Sequence, residues 1–386
     1  MKLRRVKITG IGPVTPAGIG REAFLRGMLE PVSRVGVKVM GEGSATRLVA
    51  AAEVRDFRIG AFGLDASYLS SPRHVQLALA ATALALRDAG LVLGEVRKQK
   101  PLVVLARPSL ERGSLGVVAG SRADGPKLMQ QAVSQHVGAC VEEKDRPEFY
   151  SALDAIGYAA LQVASGRVNL AICGGADSPL SERLLAEMQE LDLSSGHARA
   201  PERQCRPFDL WRTTGVAGEG ACVFVLEPEE SKRRAYAHVD GAVGVAEKSG
   251  RAWEPLGEAV RLALGNARLR PADIDCIHAD GTGHKTLDLA EVTALRSALR
   301  GHLDALPVVS IKGAVGNALG AAGAIQVGCA ALGTRHSIIP PTVNWSHPDP
   351  SCLLNLSTSP RQISMDVTLV ASRDPSGAVT CLLLSQ

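Results

Sequence analysis

The 386-residue sequence has few aromatic residues, since Phe, Tyr and Trp make up 3% of the chain, so its core must consist mainly of Ala, Val, Leu and Ile. It also lacks a strong charge of either sign. The 43 basic and 39 acidic residues leave a formal net charge of +4, too small and too dispersed to favour nucleic acid as a partner. No apolar run approaches the roughly 20 residues that cross a bilayer, and no apolar signal segment opens the sequence. We therefore expect a cytoplasmic protein that binds neither membrane nor nucleic acid.

The eight cysteines do not have the spacing of a metal site or of a redox pair. No two of them form a C-x-x-C pair, and none has a ligand-like spacing to a histidine. Most lie inside apolar runs, as Cys173 and Cys381 do. These positions predict buried free thiols, and we expect no bound metal and no cofactor.

The chain does contain an alternation of short apolar runs and alanine-rich helical patterns, which favours an α/β fold. A charged helix is predicted from Glu229, after the strand that stops at Pro228. The second half repeats the rhythm of the first and so hints at an internal duplication. Predicted strands lie at residues 6–11, 101–106, 115–120, 168–177, 221–228, 274–281, 306–313, 367–372 and 378–385, and predicted helices at 22–29, 76–89, 149–165, 256–269 and 320–332.

Residues 278–289, HADGTGHKTLDL, contain a Gly-Thr-Gly loop of the kind that holds a reactive side chain. The residue directly before the loop is Asp280, while histidines lie on either side, at His278 and His284. This stretch alone leaves two interpretations open. It is a catalytic loop with an unusual acid, or a catalytic loop that has lost its function.

Four segments, taken together and in order, resemble the β-ketoacyl synthases of fatty-acid and polyketide assembly. They are RRVKITGIGPVTPAGIG (4–20), NLAICGGADSPLSE (169–182), RPFDLWRTTGVAGEGACVFVLE (206–227), and VVSIKGAVGNALGAAGAIQ (308–326) followed by IIPPTVN (338–344). The resemblance implies a thiolase-like α/β fold with five layers, α-β-α-β-α, built from two duplicated halves. We place those ketosynthase-like halves at residues 1–228 and 229–386.

In this family a cysteine at the start of a buried helix takes the acyl chain as a thioester, and two histidines stabilise the charge that develops on carbonyl oxygens. The resemblance places the cysteine at Phe149 and the histidines at Asp280 and Asn317, so all three residues differ from the family's. It implies that the motif residues Lys312, Glu219 and Asp288 are retained and that the chain has no catalytic residue.

The residues at these three positions, and the nucleophiles near them, offer limited chemistry for a condensation. An aspartate is anionic near neutral pH unless its pKa is raised, and it would repel the enolate that the reaction creates. Cys140, nine residues before Phe149, and Ser151 are alternative nucleophiles. The family's G-F-G-G gate reads DPSG at residues 374–377, and the interval between residues 120 and 149 is shorter than usual in the family. These departures favour a chain that has lost condensing activity.

A ketosynthase-like chain without its nucleophile resembles the chain-length factors of type II polyketide systems. The resemblance implies a non-catalytic subunit that forms a heterodimer with an active ketosynthase, an acyltransferase, and helps shape the tunnel in which a polyketide or polyene grows. The other implied partner is an acyl carrier protein with its phosphopantetheine-bound chain. Phe149 is then either a plug in that tunnel or core filler. Two alternatives stay open: an acyl-transfer or decarboxylating enzyme with an altered site, and a homodimeric acyl-binding scaffold.

Overall fold

The computed structural model describes residues 3–41, 46–109, 127–139, 147–195, 197–246, 254–374 and 377–386. The strands are β1 (Val6–Thr15), β2 (Gly18–Ile19), β3 (Gly36–Met40), β4 (Arg47–Ala52), β5 (Leu102–Ala106), β6 (Ala171–Asp177), β7 (Ala217–Gly218), β8 (Gly220–Pro228), β9 (Ala237–Val245), β10 (Cys276–His278), β11 (Val308–Val309), β12 (Ile338–Ile339), β13 (Arg361–Gln362), β14 (Val367–Arg373) and β15 (Val379–Ser385). The α-helices are α1 (Arg21–Leu29), α2 (Arg73–Asp88), α3 (Leu93–Gln99), α4 (Leu128–Val137), α5 (Ala152–Ala164), α6 (Glu182–Glu190), α7 (Glu254–Ala267), α8 (Lys285–Leu299), α9 (Lys312–Val315) and α10 (Ala322–His336). Short 3-10 helices lie at Ile59–Phe62, Ala66–Ser70, Pro201–Arg203, Pro271–Asp273, Arg300–His302, Leu319–Ala321 and Pro350–Cys352.

The main sheet repeats one strand order in its two halves. In the first half β1, β8, β6 and β5 are neighbours, and the successive pairs are antiparallel, antiparallel and parallel. In the second half β9, β15, β14 and β10 follow with the same senses, and β11 extends the row in parallel with β10. The halves meet where β1 pairs with β9. This repeat confirms a duplicated α/β fold.

Helices cover both outer faces and fill the space between the two half sheets. Helices α2 and α4 pack on the first half sheet. Helix α7 packs on the outside of the second, and α8 packs beside α7 in the same hydrophobic core. Helix α5 contacts β5 and β6 but also β9, and α10 contacts both β8 and β14, so these two helices form the middle layer. The result is the five-layered α-β-α-β-α arrangement that the resemblance implied.

The middle layer explains the many small residues of the sequence. Residues of α10 are buried from Ala322 through Thr334, and a Cβ added at Gly328 would lie 2.8 Å from the Cys222 Sγ. Such close packing excludes larger side chains. The seven cysteines in the described part of the chain are free and buried, and burial raises the pKa of Cys329 to about 12. The prediction of buried free thiols is confirmed for these seven.

Two predictions of secondary structure are wrong for reasons that a contact in the structure explains. Strand β1 continues to Thr15 through the Gly-Pro turn expected after Ile11, because residues 10–14 keep their pairing with β8. The charged helix predicted from Glu229 is a turn, since the Lys7 Nζ from β1 donates to the carbonyl oxygens of Glu229 (3.0 Å) and Ser231 (2.7 Å). A tertiary contact therefore takes the acceptors that a helix would have used.

Three earlier predictions are not settled by these elements. The predicted strand at 115–120 and Cys140 lie outside the described residues. The boundary between halves at residues 228 and 229 stays a prediction. Among the described residues, no single helix is long and apolar enough to cross a membrane; α2 and α3 pass that test only together, with a 96° bend between them.

Candidate functional site

The start of α5 is where the resemblance places a nucleophile. The helix begins at Ala152, so the prediction of a helix from residue 149 was three residues too long at this end. Ser151 caps it, because its Oγ accepts a hydrogen bond from the Leu153 N–H at 3.2 Å. Phe149 lies half-buried before the cap, with its ring centroid 5.2 Å from that of Tyr158. The side chain at this position is packed hydrocarbon with no heteroatom to bond an acyl group.

Asp280 and Lys312 come together at the carboxyl ends of two neighbouring parallel strands. Asp280 follows β10, and Lys312 begins α9 just after β11, the strand that pairs with β10. The Lys312 Nζ lies 2.5 Å from the Asp280 Oδ1, and both side chains are almost fully buried. Removing one partner of a buried ion pair leaves an uncompensated charge. Lys312 therefore serves to neutralise the charge of Asp280.

Two carboxylates from α8 hold the Gly-Thr-Gly loop from its other side. Glu291 accepts hydrogen bonds from the backbone N–H groups of Asp280 (2.7 Å) and Gly281 (2.8 Å). Asp288, one turn earlier, accepts from the Gly283 N–H at 3.1 Å. Sequence analysis identified Asp288 and missed Glu291, although a spacing of three residues puts both on one face of the helix.

Burial raises the pKa of both carboxyl groups. The pKa of Glu291 rises to about 8, with the negative charge of Asp280 as the second cause. The pKa of Asp288 rises to about 6 because of burial, against a lowering effect of the Phe208 N–H and of the Arg212 guanidinium. Burial and the Asp280 charge therefore favour the protonated form of Glu291, while the two backbone N–H groups that it accepts favour the carboxylate.

The glycines of the loop are explained by its backbone and packing. Gly281 and Gly283 have φ values of 42° and 81°, in the region that favours glycine. A Cβ at Gly281 would lie 2.5 Å from the Ser310 Cβ and 2.7 Å from the ring of Phe208. The fold requires these glycines whatever chemistry the neighbouring residue 280 performs.

The two histidines that flank the loop have other environments. The Nδ1 of His284 accepts from the N–H groups of Thr286 (3.1 Å) and Leu287 (3.2 Å), so this side chain is the N-cap of α8. Its Nε2 lies 3.2 Å from the Asp192 Oδ2. His278 is enclosed in β10, and burial lowers its pKa to about 3. Neither imidazole takes the place of the one that the family carries at position 280.

Asn317, where the resemblance places the second histidine, uses its side chain in a local turn. Its Oδ1 accepts from the Leu319 N–H at 3.2 Å. Its backbone N–H donates to the Val216 carbonyl oxygen (2.8 Å), and its own carbonyl accepts from the Gly218 N–H (2.9 Å). The residue shapes the chain that leads into α10.

Glu219 joins three separate segments around the junction of β7 and β8. Its carboxylate accepts from the Arg73 guanidinium (2.8 Å), the Val54 N–H (3.0 Å) and the Ser178 hydroxyl (2.7 Å). Its partners are a backbone N–H, an arginine of helix α2 and a serine hydroxyl. A structural role is therefore enough to explain why a glutamate lies here.

The segment that stands where the family has its gate is described only at its ends, Asp374 and Gly377. The Asp374 N–H donates to the Ala378 carbonyl oxygen at 2.9 Å, so the two flanks of this segment lie close together. Burial raises the pKa of Asp154, in the first turn of α5, to about 6; the Thr380 hydroxyl bonded to it at 2.9 Å lowers the pKa, and the charge of Asp374 raises it. The carboxyl groups of Asp154 and Asp374 therefore interact between the first turn of α5 and the start of this segment.

A small cavity lies beside Asp280. It has a volume of ≈20 Å³ and is lined in part by Thr282, Glu291 and Ser372. A space of this size holds about one water molecule. It has no room for an acyl chain.

Comparisons with known proteins identify the family. Residues 151–232 match the β-ketoacyl synthase N-terminal domain, and residues 235–346 match the β-ketoacyl synthase C-terminal domain. A protein of Streptomyces cyaneus, assigned as polyketide β-ketoacyl synthase 1, is 34% identical over 91% of this chain and 90% of its own length. The chain belongs to the β-ketoacyl synthase family.

Solved structures of ketosynthases share the fold across the whole chain. The ishigamide ketosynthase/chain length factor has a TM-score of 0.83 at 24% identity and covers 100% of this chain and 99% of its own. A type II polyketide acyl-carrier protein in complex with its ketosynthase bound to the hexaketide gives a TM-score of 0.83 at 22% identity, with 99% of each chain covered. The thiolase-like ketosynthase fold implied by the sequence is confirmed.

Proposed function

We propose that this chain is a non-catalytic subunit of a polyketide ketosynthase and acts as the chain-length factor of an active partner. The observation that carries the proposal is the state of the three positions at which the family has its cysteine and two histidines. Family membership does not decide the matter, because the Streptomyces cyaneus relative is itself assigned as a synthase. The residues of the site have to decide it.

Condensation needs a nucleophile and donors aimed at a developing oxyanion. Phe149 offers no nucleophile, and the Oδ1 of Asn317 is bonded to the backbone of its own turn. At the remaining position a carboxylate replaces an imidazole, and the nearest cation, Lys312, is paired with it. An oxyanion formed here would face an acceptor in place of a donor, which raises the barrier to reaction.

Pairing with an active ketosynthase is supported by the neighbouring structures. One of them is a ketosynthase/chain length factor, and the other is an acyl-carrier protein in complex with its ketosynthase. Chains that share one fold can pair about a two-fold axis while only one of them keeps its chemistry. We infer that this chain pairs with a ketosynthase and helps shape the tunnel around a growing chain that the phosphopantetheine of an acyl carrier protein holds.

Ser151 does not favour the alternative of an acyl-transfer enzyme. Its hydroxyl oxygen already accepts the Leu153 N–H as a helix cap, and an activated serine needs a base that takes its proton. In the described part of the chain, no hydrogen bond joins Ser151 to a histidine or a carboxylate.

The test is reconstitution with an active type II ketosynthase and its acyl carrier protein. Co-expressed, the two chains should elute as a one-to-one complex, and the ketosynthase alone should make little or no product. In the complex Phe149→Ala should lengthen the product if the ring limits the tunnel. Phe62→Ala is a matched control, because Phe62 is also half-buried and stacks on another aromatic ring, Phe57, away from α5.

Two outcomes would overturn the proposal. The first is a stable homodimer that does not exchange with the ketosynthase. The second is a product whose length and yield are the same with and without this chain. A normal product with Phe149→Ala, in a complex that still needs the chain, would identify Phe149 as core filler and leave the pairing intact.

A further inference from the structure

A groove rich in arginine lies at the opposite end of the molecule's central helix from the site described above. Its arginines come from three elements: Arg21 and Arg26 from α1, Arg234 from the segment before β9, and Arg335 from the last turn of α10. The groove has a volume of ≈550 Å³. Since α10 has 15 residues, its two ends are about 22 Å apart. We call this feature the arginine groove.

One arginine of the groove has a structural role. Arg21 bonds to Asp88 at 2.8 Å and contacts Glu22 at 3.2 Å and the hydroxyl of Tyr236. The Tyr236 hydroxyl itself donates to Asp88 at 3.0 Å. This network fixes one wall of the groove and offsets the charge of Arg21.

The other three arginines have no such compensation. Within the described residues, Arg26, Arg234 and Arg335 form no side-chain hydrogen bond and no ion pair. Glu22, already in contact with Arg21, is the acidic residue that lines the groove. Cations that converge on one concave surface repel each other unless water or an anion intervenes.

Helix electrostatics accounts for only part of this arrangement. Arg26 lies in the last turn of α1 and Arg335 in the last turn of α10, where a positive charge offsets the helix dipole. Arg234 lies in an irregular segment outside any helix, 208 residues after Arg26 and 101 residues before Arg335. The helix dipole therefore does not explain why Arg234 lies beside the two helix ends.

We propose that the arginine groove binds a small ligand that carries two or more phosphate groups on an organic body. Guanidinium groups bind phosphate oxygens through pairs of parallel hydrogen bonds. Three uncompensated guanidinium groups exceed what a single phosphate can neutralise. Leu25 and Leu29 supply an apolar surface for the rest of the ligand, and the volume lies within the usual range of small-molecule sites, about 300–1,000 Å³.

The test is isothermal titration calorimetry of the full chain, or of its complex with a partner, with three soluble probes: inorganic phosphate, pyrophosphate and ADP. We expect one-to-one binding of pyrophosphate that is about tenfold tighter than that of phosphate, and ADP at least as tight as pyrophosphate. Arg234→Ala and Arg335→Ala should each weaken pyrophosphate binding by about tenfold or more, the effect of losing one charge-assisted hydrogen bond. Arg199→Ala, which removes an exposed arginine that does not line the groove, should leave binding unchanged.

A second experiment, with lipid vesicles, distinguishes a lipid headgroup from a soluble ligand as the source of the phosphates. Co-sedimentation with phosphatidylcholine vesicles that contain a phosphoinositide, lost in the same two variants, would identify a lipid headgroup; ADP binding without co-sedimentation would identify a soluble ligand. Thermal melting of each variant shows that it is folded. The proposal fails if pyrophosphate and ADP give no saturable binding, or if the Arg234→Ala/Arg335→Ala double variant binds them as the parent does. That failure would leave the proposed subunit role untouched, since reconstitution tests that role separately.

Discussion

The resemblance places two active-site positions of the family in this chain, one in the loop after β10 and one at the start of α5. The two regions differ in which of the family's features they keep. In the loop the backbone is held as the motif requires: Gly281 keeps its positive φ, and Glu291 binds two of its N–H groups. At the start of α5 the cap Ser151 is present, but Phe149, where the resemblance places the nucleophile, is a hydrocarbon side chain. Residues that hold backbone can thus persist where the residues that perform chemistry have changed.

The two regions also differ in how strongly they are built into the fold. The Asp280–Lys312 pair is buried and depends on both members, whereas Phe149 is only half-buried at the edge of the core. We therefore expect changes in the loop to lower stability far more than changes at Phe149, and the following experiments are ordered by that expectation.

The largest loss of stability should follow Lys312→Ala. This change leaves the buried carboxylate of Asp280 without its cation, which costs about 3–5 kcal/mol of the free energy of unfolding. Urea denaturation measures it. The Asp280→Ala/Lys312→Ala double variant is the control and should lose less than Lys312→Ala alone. A single variant within about 1 kcal/mol of the parent would mean that the pair is not structurally required.

Gly281→Ala should lower the free energy of unfolding by about 3 kcal/mol, because a Cβ here meets Ser310 and the φ value is strained for alanine. Gly301→Ala is the matched control. A Cβ at Gly301 has nothing within 4 Å, so this variant should stay within about 0.5 kcal/mol of the parent. Equal stabilities for the two variants would contradict the role assigned to the loop.

Glu291→Gln should change how stability depends on pH. Burial and Asp280 raise the pKa of Glu291 from 4.5 to about 8, so between these values the folded chain keeps a proton that the unfolded chain releases. Its contribution to the free energy of unfolding is therefore largest at low pH and falls as pH rises toward 8, by roughly 1 kcal/mol between pH 7 and 8. The variant should lose this slope.

Asp288→Asn is the control for that pH profile. The pKa of Asp288 rises only to about 6, so its titration is nearly complete at pH 7 and the slope above pH 7 should survive in this variant. Urea denaturation at half-unit steps from pH 6 to 8.5 gives both profiles. A slope that is unchanged in Glu291→Gln would rule out a raised pKa at Glu291.

Phe149→Cys should have the smallest effect, on stability and on activity alike. A thiol at this position still lacks the two imidazole donors, and the members of a catalytic unit act non-additively. We expect no condensation product above that of the parent chain when acyl and malonyl carrier proteins are supplied. Condensation at the rate of an active synthase would show that positions 280 and 317 are still competent.

The α/β class could be predicted because the patterns behind it are local, whereas the five-layered thiolase-like fold came from the resemblance of four ordered segments to a known family. The glycine loop, the alanine-rich helices and the cysteines in apolar runs are each determined by near neighbours in the chain. The Glu229 turn was mispredicted because its determinant is Lys7, 222 residues away. The cap formed by His284 was missed because histidine is not among the residue types preferred at the N-cap of a helix.

Contacts between distant segments were beyond the reach of the sequence. Asp280 and Lys312 were both identified, but their pairing follows from the adjacency of β10 and β11. The arginine groove assembles residues from α1, from the segment before β9 and from α10, and a run such as Lys232–Arg234 gives no sign of that convergence.

The most direct test of the central claim is intact-mass spectrometry after incubation with an acyl carrier protein that carries a labelled acyl group. An active ketosynthase, treated in parallel, should gain the mass of one acyl group. We expect the mass of this chain to stay unchanged, alone and in complex with the ketosynthase. A stoichiometric acyl adduct on this chain, whether at Cys140, at Ser151 or elsewhere, would contradict the claim that it is non-catalytic.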